Sequence, residues 1–420
     1  MKLFARELPL APHPLELARR LGSEDPLVVL WSADGRGPSF LAVRPRGESN
    51  ALDPEPALAR AAEASRLAQA PRWIGLLPYE ARRELERSAR VPFERRPAPQ
   101  LERPVWWRFG AVVRVDLRVT VIGDDAGAVD DLCALLSRAR PQAPAPVELR
   151  VLPGESLERH GARISAALEL IAAGQIYQVN LARRLDLHVG GAPLDVLDRL
   201  CRQTRPPYAA AFRFGDHSVI SSSPELLLRC EADGRLLTSP IKGTRPRGLD
   251  AESDARLARE LDSDPKERAE LSMIVDVERN DLGRVSQIGT VRLRAEPTVS
   301  SAGFVWHRHA HVVGRLRQDV DRQTLLEAVV PSGSVTGAPK VRAMEIIASL
   351  EAERRGLYTG GMGFISHAGE ITLAMAIRTL CARGNEGHYF VGGGIVADSQ
   401  PSREIEETGW KARQLFARSG

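Results

Sequence analysis

The sequence predicts a folded, soluble chain of mixed helices and strands, built as two domains or as one large two-layer domain with an N-terminal elaboration. Three observations lead there. At 420 residues the chain is too long for one ordinary core. Its hydrophobic content of 43% is that of a globular protein, and no apolar run is long enough to span a bilayer. Short β-type runs alternate irregularly with helical stretches, and no internal repeat is evident.

Residues 1 to about 135 alternate the β-type runs Val28–Trp31, Phe40–Val43 and Ala111–Val113 with Pro- and Arg-rich loops, plus one helical stretch around residues 56–69. The segment Ala139–Pro146 is rich in Pro and Ala and lacks periodicity, so it reads as a linker or crossover. The boundary is therefore placed near 150, giving an N-terminal region 1–150 and a C-terminal domain 151–420. From about 157 a helix running to Ala173 leads into Ile176-Tyr177-Gln178-Val179-Asn180-Leu181. All but one Tyr, and every lysine except Lys2, fall in this second part, which marks it as the catalytic domain.

The formal charge of +4 is dispersed, without the basic runs and interleaved aromatics of a nucleic-acid binder. Four scattered cysteines show no CxxC spacing, which disfavours zinc or a disulfide framework. Arg6, Glu7 and prolines break the N-terminal apolar run, so a cytoplasmic location without membrane attachment is expected.

Only five of the 58 basic residues are lysine, and one of them, Lys242, sits in Pro240-Ile241-Lys242-Gly243-Thr244. Guanidinium stays charged in proteins, whereas an ammonium can lose its proton and act as a nucleophile. Lys242 is therefore a chemical suspect, with codon usage as the alternative. Lys266, Lys340 and Lys411 also lie in dense motif-like stretches.

Two helices open with proline followed by glutamates. After Asp264-Pro265, Glu267 and Glu270 share one face, with Asp264 and Glu267 spaced as a capping box; after Pro401, Glu404 and Glu407 repeat that spacing. Brought together, four carboxylates would call for a divalent cation, and oxygen-only ligation suggests magnesium; apart, each pair is a solvated helix face. The glycine turns Gly360–Gly363 and Gly392–Gly394 could let backbone amides approach an anion. Gly333–Lys340 has the wrong spacing for a nucleotide-binding loop, and no glycine run fits a dinucleotide fingerprint. Arg378 ends an apolar run, where it could hold a carboxylate or form a buried salt bridge. His307, His309 and His311 would share one face of a strand; a metal site and a single acid/base histidine are both open.

In order, these pieces resemble the chorismate-utilising enzyme family: component I of anthranilate synthase, component I of aminodeoxychorismate (para-aminobenzoate) synthase, and the isochorismate and salicylate synthases. The resemblance covers residues 155–418 through IYQVNL, SSSPE, PIKGTRPRG, DPKERAELSMIVDVERNDLGRV, PSGSVTGAPKVRAMEII, AIRTL, GGGIVADS and EIEET. Trp73-Ile74-Gly75 and Tyr79-Glu80-Ala81 carry a looser likeness in the N-terminal third. The resemblance implies an α+β fold: two large, mostly antiparallel sheets packed as a sandwich, helices outside, and the active site in the C-terminal region.

Within the family, water-adding enzymes place a lysine base where this chain has Gln178, and anthranilate and salicylate synthases carry PIAGT where this chain has PIKGT. The pattern most resembles the aminodeoxychorismate group. It implies conversion of chorismate and ammonia to 4-amino-4-deoxychorismate, on the way to p-aminobenzoate and folate. Anthranilate synthase component I and a non-catalytic chorismate-binding protein are the alternatives. The resemblance further implies Lys242 as nucleophile, Glu225 as the acid for the departing hydroxyl, and magnesium held by Glu267, Glu270, Glu404 and Glu407. Gly243, Thr244, Tyr358, Arg378, Gly392, Gly394 and Lys411 match substrate-binding positions. His307 matches the family histidine, although Arg308-His309-Ala310 departs from the usual continuation. Ser32, Pro207 and Tyr208 match part of a tryptophan pocket, while Thr204-Arg205-Pro206 departs from it. No cysteine sits in a nucleophile turn, so ammonia is expected from a separate glutamine amidotransferase subunit or from solution, and aromatisation from another enzyme.

Overall fold

The computed structural model describes residues 2–60, 65–81, 96, 99–302 and 305–416. Its strands form a twelve-stranded sheet, a nine-stranded sheet and a three-stranded sheet. In the largest, Leu27–Trp31, Tyr208–Phe214, His217–Ser223, Thr379–Arg383, Glu386–Ile395 and Gln178–Gly190 are successive antiparallel neighbours. In the second, Pro71–Leu77 pairs with Gly361–Ser366, which pairs with Ile371–Met375 and then Leu226–Cys230. Strands from both sides of residue 150 are thus hydrogen-bonded neighbours in both large sheets.

The period of two along these strands builds the layers. Val28, Ala210 and Phe212 of the larger sheet meet Ile74, Leu76, Met362 and Ala374 of the smaller in one inter-sheet core. Their chain neighbours face outwards: Leu27, Val29, Ala209 and Ala211 pack on Leu15, Leu17, Val129 and Leu132 of the helices Pro14–Arg20 and Ala126–Arg138. On the far side, Trp73, Leu77, Leu373 and Met375 pack with Leu271 and Val275 of the helix Pro265–Gly283. The expected sandwich with helices outside is the observed fold.

Two segments bear on the sequence reading. The helix expected around 56–69 falls partly on residues 61–64, outside the described residues, and its described flanks are turns and coil. The Pro/Ala-rich segment 139–146 forms neither helix nor strand, but it is fastened: Arg20 donates to the Ala139 carbonyl at 2.8 Å, and the Ala145 amide donates to Asp195 at 3.0 Å.

One buried cation joins the elements around the later site. Arg355 is 1% exposed, between the helix Lys340–Leu350 and the strand Gly361–Ser366. Its Nε and Nη2 form a fork on Glu351 at 2.9 and 2.7 Å; Nη2 also reaches the Asn180 carbonyl at 2.7 Å, and Nη1 the Val335 carbonyl at 2.8 Å and Thr359 Oγ1 at 3.1 Å. All five guanidinium donors are used, which offsets the cost of burying the charge. Truncation would strand Glu351 without its counter-ion, so Arg355→Ala should lower unfolding free energy by about 3–5 kcal/mol. Denaturant titration measures this; a loss below about 1 kcal/mol would contradict the assignment.

Candidate active site

Lys242 is placed by a bulge. The strand Ile241–Pro246 pairs with Val305–His309, and the register shifts between Lys242 and Thr244, with Gly243 at φ +76°. A Cβ on Gly243 would lie 2.7 Å from Leu261 and 3.0 Å from the Glu267 carboxylate, so glycine is required both by conformation and by space. The Lys242 ammonium has one hydrogen-bond partner among the described residues, the Ser334 carbonyl at 3.4 Å, and no carboxylate within ion-pair distance.

The glycines of the strand Glu386–Ile395 bring the remaining groups to this lysine. Asn180 lies opposite Gly394 and Ala182 opposite Gly392 in the neighbouring strand. A Cβ on Gly394 would sit 2.6 Å from Gln178 Nε2 and 3.4 Å from Lys242 Nζ; one on Gly392 would sit 2.8 Å from the Tyr358 hydroxyl and 3.0 Å from Asn180 Oδ1. Gln178 is fully buried, and neither of its amide atoms has a hydrogen-bond partner among the described residues, nor has Asn180 Oδ1. Unpaired polar atoms in such a place are costly unless a ligand satisfies them. The glycines at 360 and 363 behave differently from the sequence reading: a Cβ would collide with the Leu77 carbonyl at 2.1 Å and the Thr372 carbonyl at 2.0 Å. They permit strand-to-strand packing and offer no anion cradle.

The two glutamate-bearing helices do converge. Lys266 Nζ stands 3.7 Å from Glu270 and 3.6 Å from Glu404, bridging Pro265–Gly283 to Pro401–Ala412. Glu404 is buried and accepts from Ser399 at 2.7 Å. Burial pushes the Glu270 carboxyl up, with Lys242 opposing and Glu267 adding to the shift. Burial also raises Glu267, against Arg245 at 3.4 Å. Glu407 is held down by Lys411, whose ammonium lies 2.6 Å away and also donates to the Gly392 carbonyl at 2.8 Å. Asp264 caps its helix as expected, accepting from the Lys266 and Glu267 amides, but Glu267 turns to Arg245 and does not close a capping box. Among the described residues no three His, Cys, Asp or Glu are gathered at metal-binding spacing. An ammonium occupies the place between the helices where a cation is stable, and the surrounding donors are carboxylate oxygens, which suit a hard divalent ion.

Glu225 is 5% exposed and accepts from Ser334 Oγ at 2.9 Å. Burial pushes its carboxyl up to about 7, against the pull of Ser334 and Lys242. His307 is buried with Nδ1 3.0 Å from Thr244 Oγ1, and burial pushes it down to about 3, so it is neutral at physiological pH. Arg378 adopts φ +51° and its guanidinium has no hydrogen bond or ion pair among the described residues, so the salt-bridge alternative is not what the structure contains. Tyr358 stacks on Phe390 with ring centroids 5.2 Å apart.

A cavity of about 1200 Å³ opens between the sheets; Ile241 lines it, but Lys242 does not. Ser32, Pro207 and Tyr208 line it together with His307, His309 and His311. The Ser32 hydroxyl donates to Asp34 at 2.8 Å. His309 and His311 contact each other at 5.0 Å and bond to Ser300 and Ser239, and no metal cluster includes them among the described residues.

The candidate residues thus fall into two places, Lys242, Gln178, Glu225 and the carboxylate helices in one and the Ser32 cavity in the other. Ser334, Lys266 and Arg355 were not singled out for these roles from the sequence. Ser334 lies within the Gly333–Lys340 motif, so its neighbourhood was visible; the bridging place of Lys266 needed the second helix.

Residues 29–417 match the chorismate binding enzyme family, and the chain belongs to that family. It is 39% identical over 371 residues to anthranilate synthase component 1 of Streptomyces coelicolor, covering 82% of this chain and 71% of that one. It is 43% identical over 248 residues to anthranilate synthase component 1 of Pseudomonas aeruginosa, covering 59% of this chain and about half, 50%, of the relative. The crystal structure of anthranilate synthase component I from Streptococcus pneumoniae is 27% identical and superposes with a TM-score of 0.75, covering 99% of this chain and 92% of that one. Among the described residues no helix is long and apolar enough to cross a membrane.

Gly394→Ala tests the crowding at Lys242. The added methyl must displace the Gln178 amide, and a misplacement of about 1 Å in a reacting group costs on the order of a hundredfold in kcat/KM. Steady-state chorismate consumption measures this, with circular dichroism as the control for folding; wild-type activity would contradict the assigned site.

Proposed function

We propose that this protein aminates chorismate, with Lys242 as the nucleophile, and that its product is 4-amino-4-deoxychorismate, the precursor of p-aminobenzoate. The observation that carries this reading is the Lys242 ammonium, which has no carboxylate at ion-pair distance among the described residues and faces Gly394 together with the Gln178 amide. A lysine amine, unlike a guanidinium, can act as a nucleophile, and no carboxylate stands at ion-pair distance from this one among the described residues to block its approach to a ring carbon.

In this mechanism the neutral Lys242 amine forms a C–N bond to the ring as the double bond shifts and the allylic C–O bond breaks. The hydroxyl leaves as water with the Glu225 proton, a role suited to a buried carboxyl whose pKa is about 7. Ammonia then forms a C–N bond at the carbon that carried the hydroxyl, the double bond shifts back, and the Lys242 C–N bond breaks. Gln178 cannot deprotonate water, and its buried amide can orient ammonia. Arg378, Tyr358, Thr244, Lys411 and the Gly392–Gly394 backbone would hold the substrate carboxylates. Magnesium held by Glu270 and Glu407, with Glu267 and Glu404 beside it, would neutralise and orient a ring carboxylate. His307, neutral and fixed on Thr244, has a positional role. A separate glutamine amidotransferase subunit would supply ammonia.

The second reading is anthranilate synthase component I, which the comparisons favour, because the relatives named above carry that name. Incubation with chorismate, magnesium and ammonium, followed by product separation, decides between them. The expected product is 4-amino-4-deoxychorismate; anthranilate as the main product would establish the second reading, and binding without turnover a non-catalytic role. Because Glu225 must carry a proton to act, kcat should fall as pH rises through about 7. A flat profile between pH 6 and 9 (roughly two units above that pKa) would remove Glu225 from the acid role.

A further inference from the structure

Behind Glu225 a chain of hydroxyls runs to a second carboxyl that the mechanism does not use. Ser334 Oγ contacts Glu225 at 2.9 Å, Ser334 and Ser332 hydroxyls lie 3.0 Å apart, and Ser332 Oγ is hydrogen-bonded to Glu278 Oε1. Glu225, Ser334, Ser332 and Glu278 are 5%, 4%, 1% and 2% exposed, so water does not interrupt the chain. Glu278 lies on the helix Pro265–Gly283, eleven residues after Glu267, and faces inward with Asp281.

Counting hydrogens shows what a continuous relay requires, the Ser334 amide also donating to Ser332 Oγ at 3.0 Å. Three oxygen-to-oxygen contacts need three hydrogens, and the two serines supply only two. With both carboxylates ionised, each serine donates outward and the contact between the serines holds no hydrogen. One carboxyl proton completes the chain, directed either from Glu225 to Glu278 or the reverse. Two buried carboxyls that repel each other favour the same singly protonated state.

We propose that Glu278 and Glu225 share a proton through Ser332 and Ser334, and that Glu278 reloads Glu225 after it has protonated the departing hydroxyl. In that step the Glu278 O–H bond breaks as a Ser332 O–H forms; Ser332 passes its own hydrogen to Ser334, and Ser334 passes its hydrogen to Glu225. One proton is transferred in net terms, and the serines end with one hydrogen each. Charged neighbours flank both ends: Lys242 and Arg378 near Glu225, and Lys340, paired with Asp281 at 2.9 Å, near Glu278. Burial, and then the charge of Glu225, raise the Glu278 carboxyl, consistent with a proton held there. Glu278 is thus a positioning residue that acts through Glu225, and its role rests on the acid assignment of Glu225.

Chorismate consumption with saturating ammonium is compared across pH for Glu278→Gln, Ser332→Ala, their double variant and Glu225→Gln. Each single change is expected to lower kcat about tenfold, a fraction of a full acid–base contribution, with KM for chorismate unchanged. Glu278→Gln removes the repelling carboxylate, so the alkaline limb of its kcat profile moves to lower pH. The double variant should be no slower than the slower single one, because both interrupt one chain. Equal losses at every pH that add in the double variant denote packing alone and overturn the relay. Wild-type profiles in both single variants beside an inactive Glu225→Gln overturn the relay and leave the acid assignment standing; full activity in Glu225→Gln overturns both. If Glu278→Gln fails to fold, Ser332→Ala carries the test together with infrared spectroscopy, in which a protonated-carboxyl band that responds to Ser332→Ala is expected and its absence in the wild-type protein near pH 7 refutes the shared proton.

Discussion

The buried fork of Arg355 on Glu351 is the constraint on which the site depends. The same guanidinium grips the carbonyls of Asn180 and Val335, so it fixes the strand that carries Gln178 and the turn that carries Ser334. Glu351 in turn accepts from the Ala182 amide at 2.8 Å. Ser334 then receives Lys242 on its carbonyl and serves Glu225 with its hydroxyl. One ion pair, expensive to bury and expensive to break, therefore sets the spacing between proposed nucleophile and proposed acid. A surface pair could not do this, since two mobile side chains in water fix little.

Charge is sorted around this frame. Lys266 and Lys411 sit with the carboxylates of the two glutamate-bearing helices, and Arg245 takes Glu267, whereas Lys242 has a carbonyl as its hydrogen-bond partner among the described residues. In a chain that uses arginine almost everywhere, each of these lysines occupies a place where a compact cation or a neutral amine can do something a planar guanidinium cannot.

Much of this was legible in the sequence, and for identifiable reasons. The runs at 28–31, 40–43 and 111–113 became strands because their apolar residues serve both faces of a covered sheet. The proline-led glutamate pairs and Lys242 stood out as rare types at regular spacing. Other features depend on contacts between distant segments. Gly360 and Gly392 look alike in sequence, yet a Cβ on the first would meet backbone atoms alone, whereas one on the second would meet the Tyr358 hydroxyl and Asn180 Oδ1 as well as the Leu181 carbonyl. Arg355 is one arginine among many, and the five hydrogen bonds of its guanidinium, to four residues, distinguish it. Glu278 reads as one more charge on an amphipathic helix until Ser332 is placed against it.

The most direct test of the central claim is the intact mass of the protein after incubation with chorismate and magnesium in the absence of ammonia. Covalent catalysis by Lys242 predicts an added mass of chorismate less water, mapped to the peptide containing Lys242 and absent from Lys242→Ala. An unmodified wild-type protein under reductive and acid trapping, with turnover restored by ammonium, would contradict it.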